Sequence, residues 1–394
     1  MKRSIFFKIK KDFLFSSRIN INIKLKCNCL HRGISGLRAI IMKKITIKEI
    51  AKLANVTTTT VSRVINNKPN VKPETREFIM GLIKKYDYQP NAFAKAMSSQ
   101  KSNCIALVIP FKESFIFRNP FYSELIRGIS SQFNKRGYFL LFYYPYQKSY
   151  QNEEEYLVNI FKQKRVDGFI LLGPGKSNGK IVDSFKKIGA PFVLTSKTVQ
   201  QDSDLVYVDL DSYEGARLAT EHLISLGHRK IALIKNGPGL LISSEERFQG
   251  YYETLIKNNI PYDDSLVKEG ATQKSGYLES GYQAMQELLD GNRPTAVFIA
   301  ADVMVLGAIR AIRERNLRIP EDISIVGFDD IPEAAFMSPP LTTIRQPAFD
   351  RGKKAANLII NMLDQKMTVK SVTFRVELVI RNSTSVPIEA NSQS

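Results

Sequence analysis

Apolar positions fall into two regimes along this chain. Between Thr46 and Tyr86 they recur at helical spacing in three short bursts. Ile47, Ile50, Leu53 and Ala54 form one face, Val61, Val64 and Ile65 a second, and Phe78, Ile79, Leu82 and Ile83 a third. Thr46 with Glu49 three residues on predicts a capping box at the first helix. Thr57 predicts an N-cap at the second, and Pro73 suits the first turn of the third. Asn55 and the Asn66–Asn70 stretch with Pro69 read as turns. Two short helices joined by a tight turn, with a third across them, make a helix-turn-helix pattern.

From residue 102 to 385 the pattern changes. Short runs that are apolar throughout alternate with amphipathic stretches. The runs are Ile105–Ile109, Tyr138–Tyr143, Gly168–Leu172, Phe192–Thr195, Lys230–Ile234, Ala296–Ala300 and Ile323–Val326. They predict parallel strands covered on both faces. The stretches near 121–136, 153–163, 212–226, 245–259, 276–290 and 303–316 predict helices between them. Repeated strand–helix units give a doubly wound α/β body. At this length two lobes with a ligand cleft between them are expected. Residues 386–394 read as a polar tail. Residues 89–101 read as a linker whose QPNAFAKAM segment can form a helix too short to persist alone.

Charge adds to this picture. Of a formal +19, residues 1–41 carry +9, residues 42–101 carry +8 and the rest +2. Such asymmetry predicts a basic module for a polyanion fused to a near-neutral body. Residues 1–41 show no packing pattern and are expected to lie outside the fold, with Met42 the expected natural start. Their opening lacks the apolar run and cleavage site of a signal peptide. Cys27 and Cys29 form an isolated pair too sparse for a metal site. With 3 Cys and 3 His, disulfide frameworks and histidine-rich metal sites are not expected, and a reducing compartment is.

The Val56–Asn67 segment, VTTTTVSRVINN, resembles the signature of the lactose-repressor (LacI/GalR) family of transcriptional regulators. ITIKEIAKLANV before it and KPETREFI and YDYQPNAFAKAM after it extend the match. NPFYSELIRGI (119–129), VDGFILL (166–172), ARLATEHLISLGHRKIALI (216–234), ERFQGYYETL (246–255), ISIVGFDD (323–330) and PPLTTIRQP (339–347) follow in the family's order. Within the family, NPFYSELIRGI and VDGFILL look most like the maltose-regulator branch. The resemblance spans residue 42 to about 385. It implies a periplasmic-binding-protein-like core of two α/β lobes (102–385) behind an all-α helix-turn-helix DNA-binding domain (42–88) and a hinge helix (89–101). It further implies a homodimeric, cytoplasmic, sequence-specific regulator, a repressor of carbohydrate genes, that binds pseudo-palindromic operator DNA and answers to a small-molecule effector such as a sugar or sugar phosphate. No cofactor is expected.

In that frame the helix after Thr57 is the recognition helix. Thr58 and Thr59 fall early in it, where base edges are read, and Arg63 a turn later can grip guanine with two hydrogen bonds. Thr57, Thr60, Ser62, Asn66 and Lys72 are short or cationic groups suited to phosphates. Capping and surface filling are the competing roles for the threonines, and solvation for Lys72. Ala94, Lys95 and Met97 correspond to the family's minor-groove hinge helix. There Met97 stands where relatives usually carry the leucine that wedges between base steps.

By family position Arg247 and Asp329 contact the effector, and a guanidinium with a carboxylate suits a polyol. Phe115, Phe117 and Phe328 are candidates to cover a sugar ring, with core packing as the alternative for each. Ala301 departs from the polar residue many relatives carry. Asp302 is expected either to touch the effector or to cap the following helix. Enzymatic readings find little support: Gly168 to Gly173 precedes Pro174 rather than Lys, and no G-x-S-x-G or H-E-x-x-H occurs. A solute-binding protein would share the two-lobed body but not the helix-turn-helix.

Overall fold

The computed structural model describes residues 45–89, 101–109, 116–144, 153–173, 179–197, 204–237, 242–270, 276–365 and 369–388. It divides into two compact units, with the boundary in sequence between Asn91 and Ala92.

The first unit is three helices, α1 (Ile47–Leu53), α2 (Thr58–Ile65) and α3 (Pro73–Lys85). The expected capping box is present: Thr46 Oγ1 accepts from the Glu49 amide at 3.3 Å, and Glu49 Oε2 accepts from the Thr46 amide at 2.8 Å. Asn55 adopts a positive φ of 52°, which turns the chain from α1 into α2. Arg76 on α3 donates to Asn67 Oδ1 at 3.0 Å and to the Lys68 carbonyl at 2.6 Å, fixing the loop between α2 and α3. The core is Ile50, Ala51, Val61, Val64 and Ile79. Leu53 and Phe78 are the exceptions to the predicted faces, 47% and 56% exposed. Each sits about 90–110° around its helix from the centre of the buried arc, since successive residues are about 100° apart. Helices this short have no second layer to cover such flanks.

The second unit is the two-lobed α/β body. In chain order the first lobe begins with β1 (Cys104–Val108), α4 (Pro120–Arg136), β2 (Phe139–Tyr143), α5 (Glu153–Lys162), β3 (Gly168–Leu171), α6 (Gly179–Lys187) and β4 (Phe192–Leu194). Its strands form one parallel sheet in the order β2-β1-β3-β4. The short β5 (Val208–Leu210) follows, bridged to β4 through Leu194 and Tyr207. The second lobe runs α7 (Ser212–Ser225), β6 (Ile231–Lys235), α8 (Ile242–Lys257), β7 (Val267–Glu269), α9 (Tyr277–Asp290), β8 (Ala296–Ile299), α10 (Asp302–Glu314), β9 (Ser324–Asp329) and β10 (Thr342–Arg345).

The chain then returns. Helix α11 (Ala348–Leu363) packs on α4 in the first lobe. A side-chain methyl on Gly128 would run into the Phe349 carbonyl oxygen, and one on Gly352 into that of Leu125. The two glycines therefore let these helices touch backbone to backbone. The last strands are β11 (Val372–Phe374), parallel to β5, and β12 (Glu377–Val379), which closes the second sheet antiparallel to β10. That sheet has the order β12-β10-β9-β8-β6-β7. Each lobe is thus discontinuous in sequence.

All seven predicted strands are present, six of them within a residue at each end, while β9 runs three residues past the predicted Val326 to Asp329. The exception to full coverage is β2, an edge strand on which Phe139, Leu141 and Phe142 are exposed. Helix α11 was not among the predicted helical stretches, and its interior Gly352 is accounted for by the α4 contact. The other omissions are α6 and the strands β5, β7, β10, β11 and β12. Four of these strands have three residues, and β10 is half threonine.

Candidate functional site

Two sites are built by these units, one in each. On α2 the side chains of Thr58, Thr59, Ser62, Arg63 and Asn66 share an arc of about 140° at about 100° per residue. Val61, Val64 and Ile65 take the opposite side and pack on α1 and α3. The helix therefore turns one whole polar face outward. Thr58, Thr59 and Arg63 are exposed. Among the described residues the Arg63 side chain has no hydrogen bond or ion pair, which leaves its donors available.

The flanking positions carry structural work as well. Thr57 Oγ1 accepts from the Thr60 amide at 3.2 Å and shares a 3.0 Å bond with the Thr60 hydroxyl. Asn66 Nδ2 donates to the Ser62 carbonyl at 3.0 Å, closing the end of α2. Lys72 is exposed and precedes α3 without capping it through its side chain. Ala94, Lys95 and Met97, and Phe115 in the body, lie outside the described residues.

The second site is a cleft between the lobes with about 610 Å³ of space not filled by protein, the part open to solvent included. Its lining falls where parallel α/β sheets place ligands, beyond the carboxyl ends of the strands. Gly173 follows β3, Thr195 follows β4, Asn236 follows β6, Ala301 follows β8, Asp329 ends β9 and Gln346 follows β10. The starts of α4, α7 and α9 add Asn119, Ser212 and Tyr277.

Arg247 and Asp329 both line this cleft, 6% and 7% exposed. The Arg247 guanidinium lies 3.6 Å over the ring of Phe328 and donates to the Ala300 carbonyl. Burial lowers its proton affinity and the Asp329 charge partly restores it. Asp329 accepts from Gln346 Nε2. Burial pushes its carboxyl well above the usual carboxylate range, against the pull of Arg247. Its φ of 131° is one an L residue rarely adopts. The adjacent Asp330 anchors it, paired with Arg345 and Arg381 at 2.7 Å each.

The cleft holds more than those two residues. Tyr277 and Tyr122 share a hydrogen bond, with Asn119 bonded to Tyr277 in turn. Burial and the Asp329 charge push the Tyr122 phenol up to about 12. Arg351 reaches in from α11, donating to Gln346 Oε1 at 2.8 Å and to the Thr195 carbonyl at 2.9 Å. Four buried side-chain atoms on lining residues have no hydrogen-bond partner among the described residues: Ser212 Oγ, Asn236 Oδ1, Arg247 Nε and Arg351 Nε. Native proteins rarely leave such groups unpaired, so their concentration here points to a polar ligand.

Three of the candidate effector residues lie off the cleft lining. Asp302 is fully buried and does not line the cleft. Its carboxylate accepts from the Thr343 hydroxyl at 2.7 Å and the Ile331 amide at 3.0 Å. It is the first residue of α10 rather than its cap, so it ties β10 and the loop after β9 to that helix. Phe328 is fully buried in the second lobe and meets Arg247 rather than open cleft. Phe117 is 55% exposed beside Tyr144 and is absent from the lining.

Asn119, Tyr122, Gln346 and Arg351 were missed as site residues. The first three lie in the NPFYSELIRGI and PPLTTIRQP motifs, a signal available in the sequence. Arg351 carried no signal, being one of 57 basic residues and on a helix the pattern did not reveal. His222 and His228 proved structural. His228 bonds the Ser385 carbonyl at 2.9 Å, and His222 bonds Thr384 at 3.0 Å, which pins the chain's end to the second lobe.

A polar-faced helix-turn-helix joined to a two-lobed body with a polar cleft defines a ligand-responsive DNA-binding protein. Comparison with known proteins agrees. Residues 46–91 match the model of bacterial regulatory proteins of the lacI family, and residues 220–384 that of the periplasmic binding protein-like domain. The HTH-type transcriptional regulator CelR of Thermobifida fusca is 34% identical over 341 residues, covering 86% of this chain and 98% of its own. The HTH-type transcriptional regulator DegA of Bacillus subtilis is 35% identical over 350 residues, covering 87% and 98%. A lac repressor dimer bound to operator and the anti-inducer ONPF superposes with a TM-score of 0.75 at 27% identity, covering 87% and 100%. The chain belongs to the lacI family of HTH-type transcriptional regulators. No helix among the described residues is long and apolar enough to cross a membrane.

Proposed function

We propose that the chain is a cytoplasmic, homodimeric repressor of carbohydrate genes, without enzymatic activity, whose operator affinity is set by a sugar-like effector in the cleft. The observation that carries this reading is the set of four unpaired buried polar atoms around one cleft lined from both lobes. A hydroxyl-rich ligand matches it, since hydroxyls both donate and accept. The solved structure of CelR with cellobiose, 33% identical with a TM-score of 0.65, shows a relative holding a sugar. In this reading Thr58, Thr59 and Arg63 read bases, while Thr57, Thr60, Ser62, Asn66 and Lys72 position phosphates. Ala94, Lys95 and Met97 enter the minor groove.

An effector that prefers one lobe arrangement shifts operator affinity by its differential affinity, typically about 1–3 kcal/mol, or 5–150-fold. The test begins by selecting operator fragments from genomic DNA and measuring their affinity with and without candidate sugars. Arg247→Ala and Asp329→Ala are expected to abolish the ligand response. Normal ligand affinity by calorimetry in both variants would place the effector elsewhere.

A further inference from the structure

Each strand–helix unit of the first lobe returns its helix to the amino end of the parallel sheet, and there the loops after α4, α5 and α6 lie side by side. The Phe139 amide donates to the Asn103 carbonyl at 2.7 Å, the Asp167 amide to the Cys104 carbonyl at 2.7 Å and the Phe169 amide to the Pro191 carbonyl at 2.9 Å. These helix ends and loops carry Lys135, Arg136, Lys162, Lys164, Arg165 and Lys187, all exposed. Among the described residues none of these side chains has an ion pair or hydrogen bond, and Lys164 meets the ring of Phe161. The acids at this end are Asp167 and Asp364, both close enough to act on Tyr138, with Asp183 a turn further up α6. They leave an excess of positive charge on a body in which residues 102–394 sum to only +2.

Helix dipoles draw cations to such ends in any parallel α/β lobe. The second lobe has the same geometry without the same charge. There α9 ends in Asp290, paired with Arg315, and α10 ends in Glu314, paired with Arg310, while Asp322 in the next loop pairs with Arg318. The dipole alone therefore does not account for the unpaired excess on the first lobe. This end is also where the chain enters the body. Lys101 precedes β1, and the Asp167 carboxylate accepts from the Ser102 and Asn103 amides at 2.8 Å each. Residues 90–100 can span at most about 40 Å, so a duplex held by the helix-turn-helix unit is tethered at high effective concentration to this end. We propose that the amino end of the first lobe is a second, sequence-independent DNA contact, its lysines and arginines resting on phosphates that flank the operator. Long exposed cations of this kind neutralise phosphates and release counterions, and they read no bases. The inference rests on the operator reading above and adds a surface to it; it does not depend on the cleft.

The experiment titrates the full chain against two operator duplexes at several salt concentrations, read by fluorescence anisotropy. One duplex ends at the outer edges of the half-sites, and the other extends about two helical turns beyond each. The longer duplex should bind more tightly and with a steeper salt dependence. Lys162→Gln, Lys164→Gln and Lys187→Gln combined should weaken binding to it about tenfold at low salt and flatten the salt slope by about 2–3. The same variant should bind the short duplex within about twofold of wild type and keep the wild-type melting temperature. A matched variant, Arg229→Gln, Lys257→Gln and Arg293→Gln combined, removes the same charge from the amino end of the second lobe and should leave both duplexes within about twofold. Equal wild-type affinity for the two duplexes overturns the inference. So does an equal loss on both duplexes, or an equal loss in the second-lobe variant, since either makes the effect one of net charge. A wild-type chain that prefers neither duplex to random DNA of the same length overturns the operator reading itself.

Discussion

Replacing Asp302 separates a structural carboxylate from a ligand contact. Its two oxygens serve two donors, the Thr343 hydroxyl at 2.7 Å and the Ile331 amide at 3.0 Å, in a fully buried setting. Asp302→Ala strands both. A buried donor left without an acceptor costs about 1–3 kcal/mol, so the gross loss is about 2–6 kcal/mol. Removing a buried carboxyl returns part of this, because burial already raises its proton affinity. A net loss of about 2–4 kcal/mol is expected. Asp302→Asn should cost less, about 1–2 kcal/mol. Its amide oxygen can still serve Ile331, and the Thr343 hydroxyl can turn to accept from the new nitrogen. The chain has no tryptophan, so urea unfolding is best followed by far-ultraviolet circular dichroism. In the same Asn variant, cleft ligand affinity should stay within a few-fold of wild type. A wild-type urea midpoint together with a lost ligand response in Asp302→Asn would refute the structural role and return Asp302 to the effector site.

Other expectations follow from particular contacts. Arg63→Ala should cost about 1–3 kcal/mol per operator half-site and relax specificity there, whereas Lys72→Ala should weaken all sequences alike and flatten the salt dependence. Equal losses on operator and random DNA would make Arg63 a phosphate contact. Thr57→Ala removes the cap of α2 and should destabilise the helical module by about 1 kcal/mol, read as a lower melting temperature. Burial lowers the proton affinity of His228 in the fold, so below its unfolded pKa of about 6.5 the unfolded chain binds more protons. Stability should therefore fall as pH drops below that point, and a His228→Gln variant with the same slope in urea midpoints would exclude this residue as the cause.

The helical module was legible almost completely from the sequence. Its capping box, the Thr57 cap, the Pro73 start and the α2 core face depend on residues within a few positions of one another. Local chemistry of that kind is written in spacing. Leu53 and Phe78 were misplaced because apolar character alone does not say how wide an arc the partners cover. The strands of the body were legible for a similar reason, since runs covered on both faces must be apolar at every position. Arg247 and Asp329 came from the family resemblance, and the structure places both on the cleft.

By itself, then, the sequence determined the basic front module, the α/β alternation behind it and the family. Only the tertiary structure decided which distant residues share a surface. The return of α11 to the first lobe brings Arg351 to the cleft more than a hundred residues from Arg247. A glycine in the middle of that helix makes sense only against α4. Whether a polar side chain serves a ligand or the fold was settled the same way. Asp302 and Asp329 are both acidic residues at strand–helix junctions of one lobe. One is consumed by Thr343 and Ile331, and the other is turned into the cleft by its backbone. That choice rests on which donors three-dimensional packing brings within hydrogen-bond reach, a property that spacing along the chain does not contain.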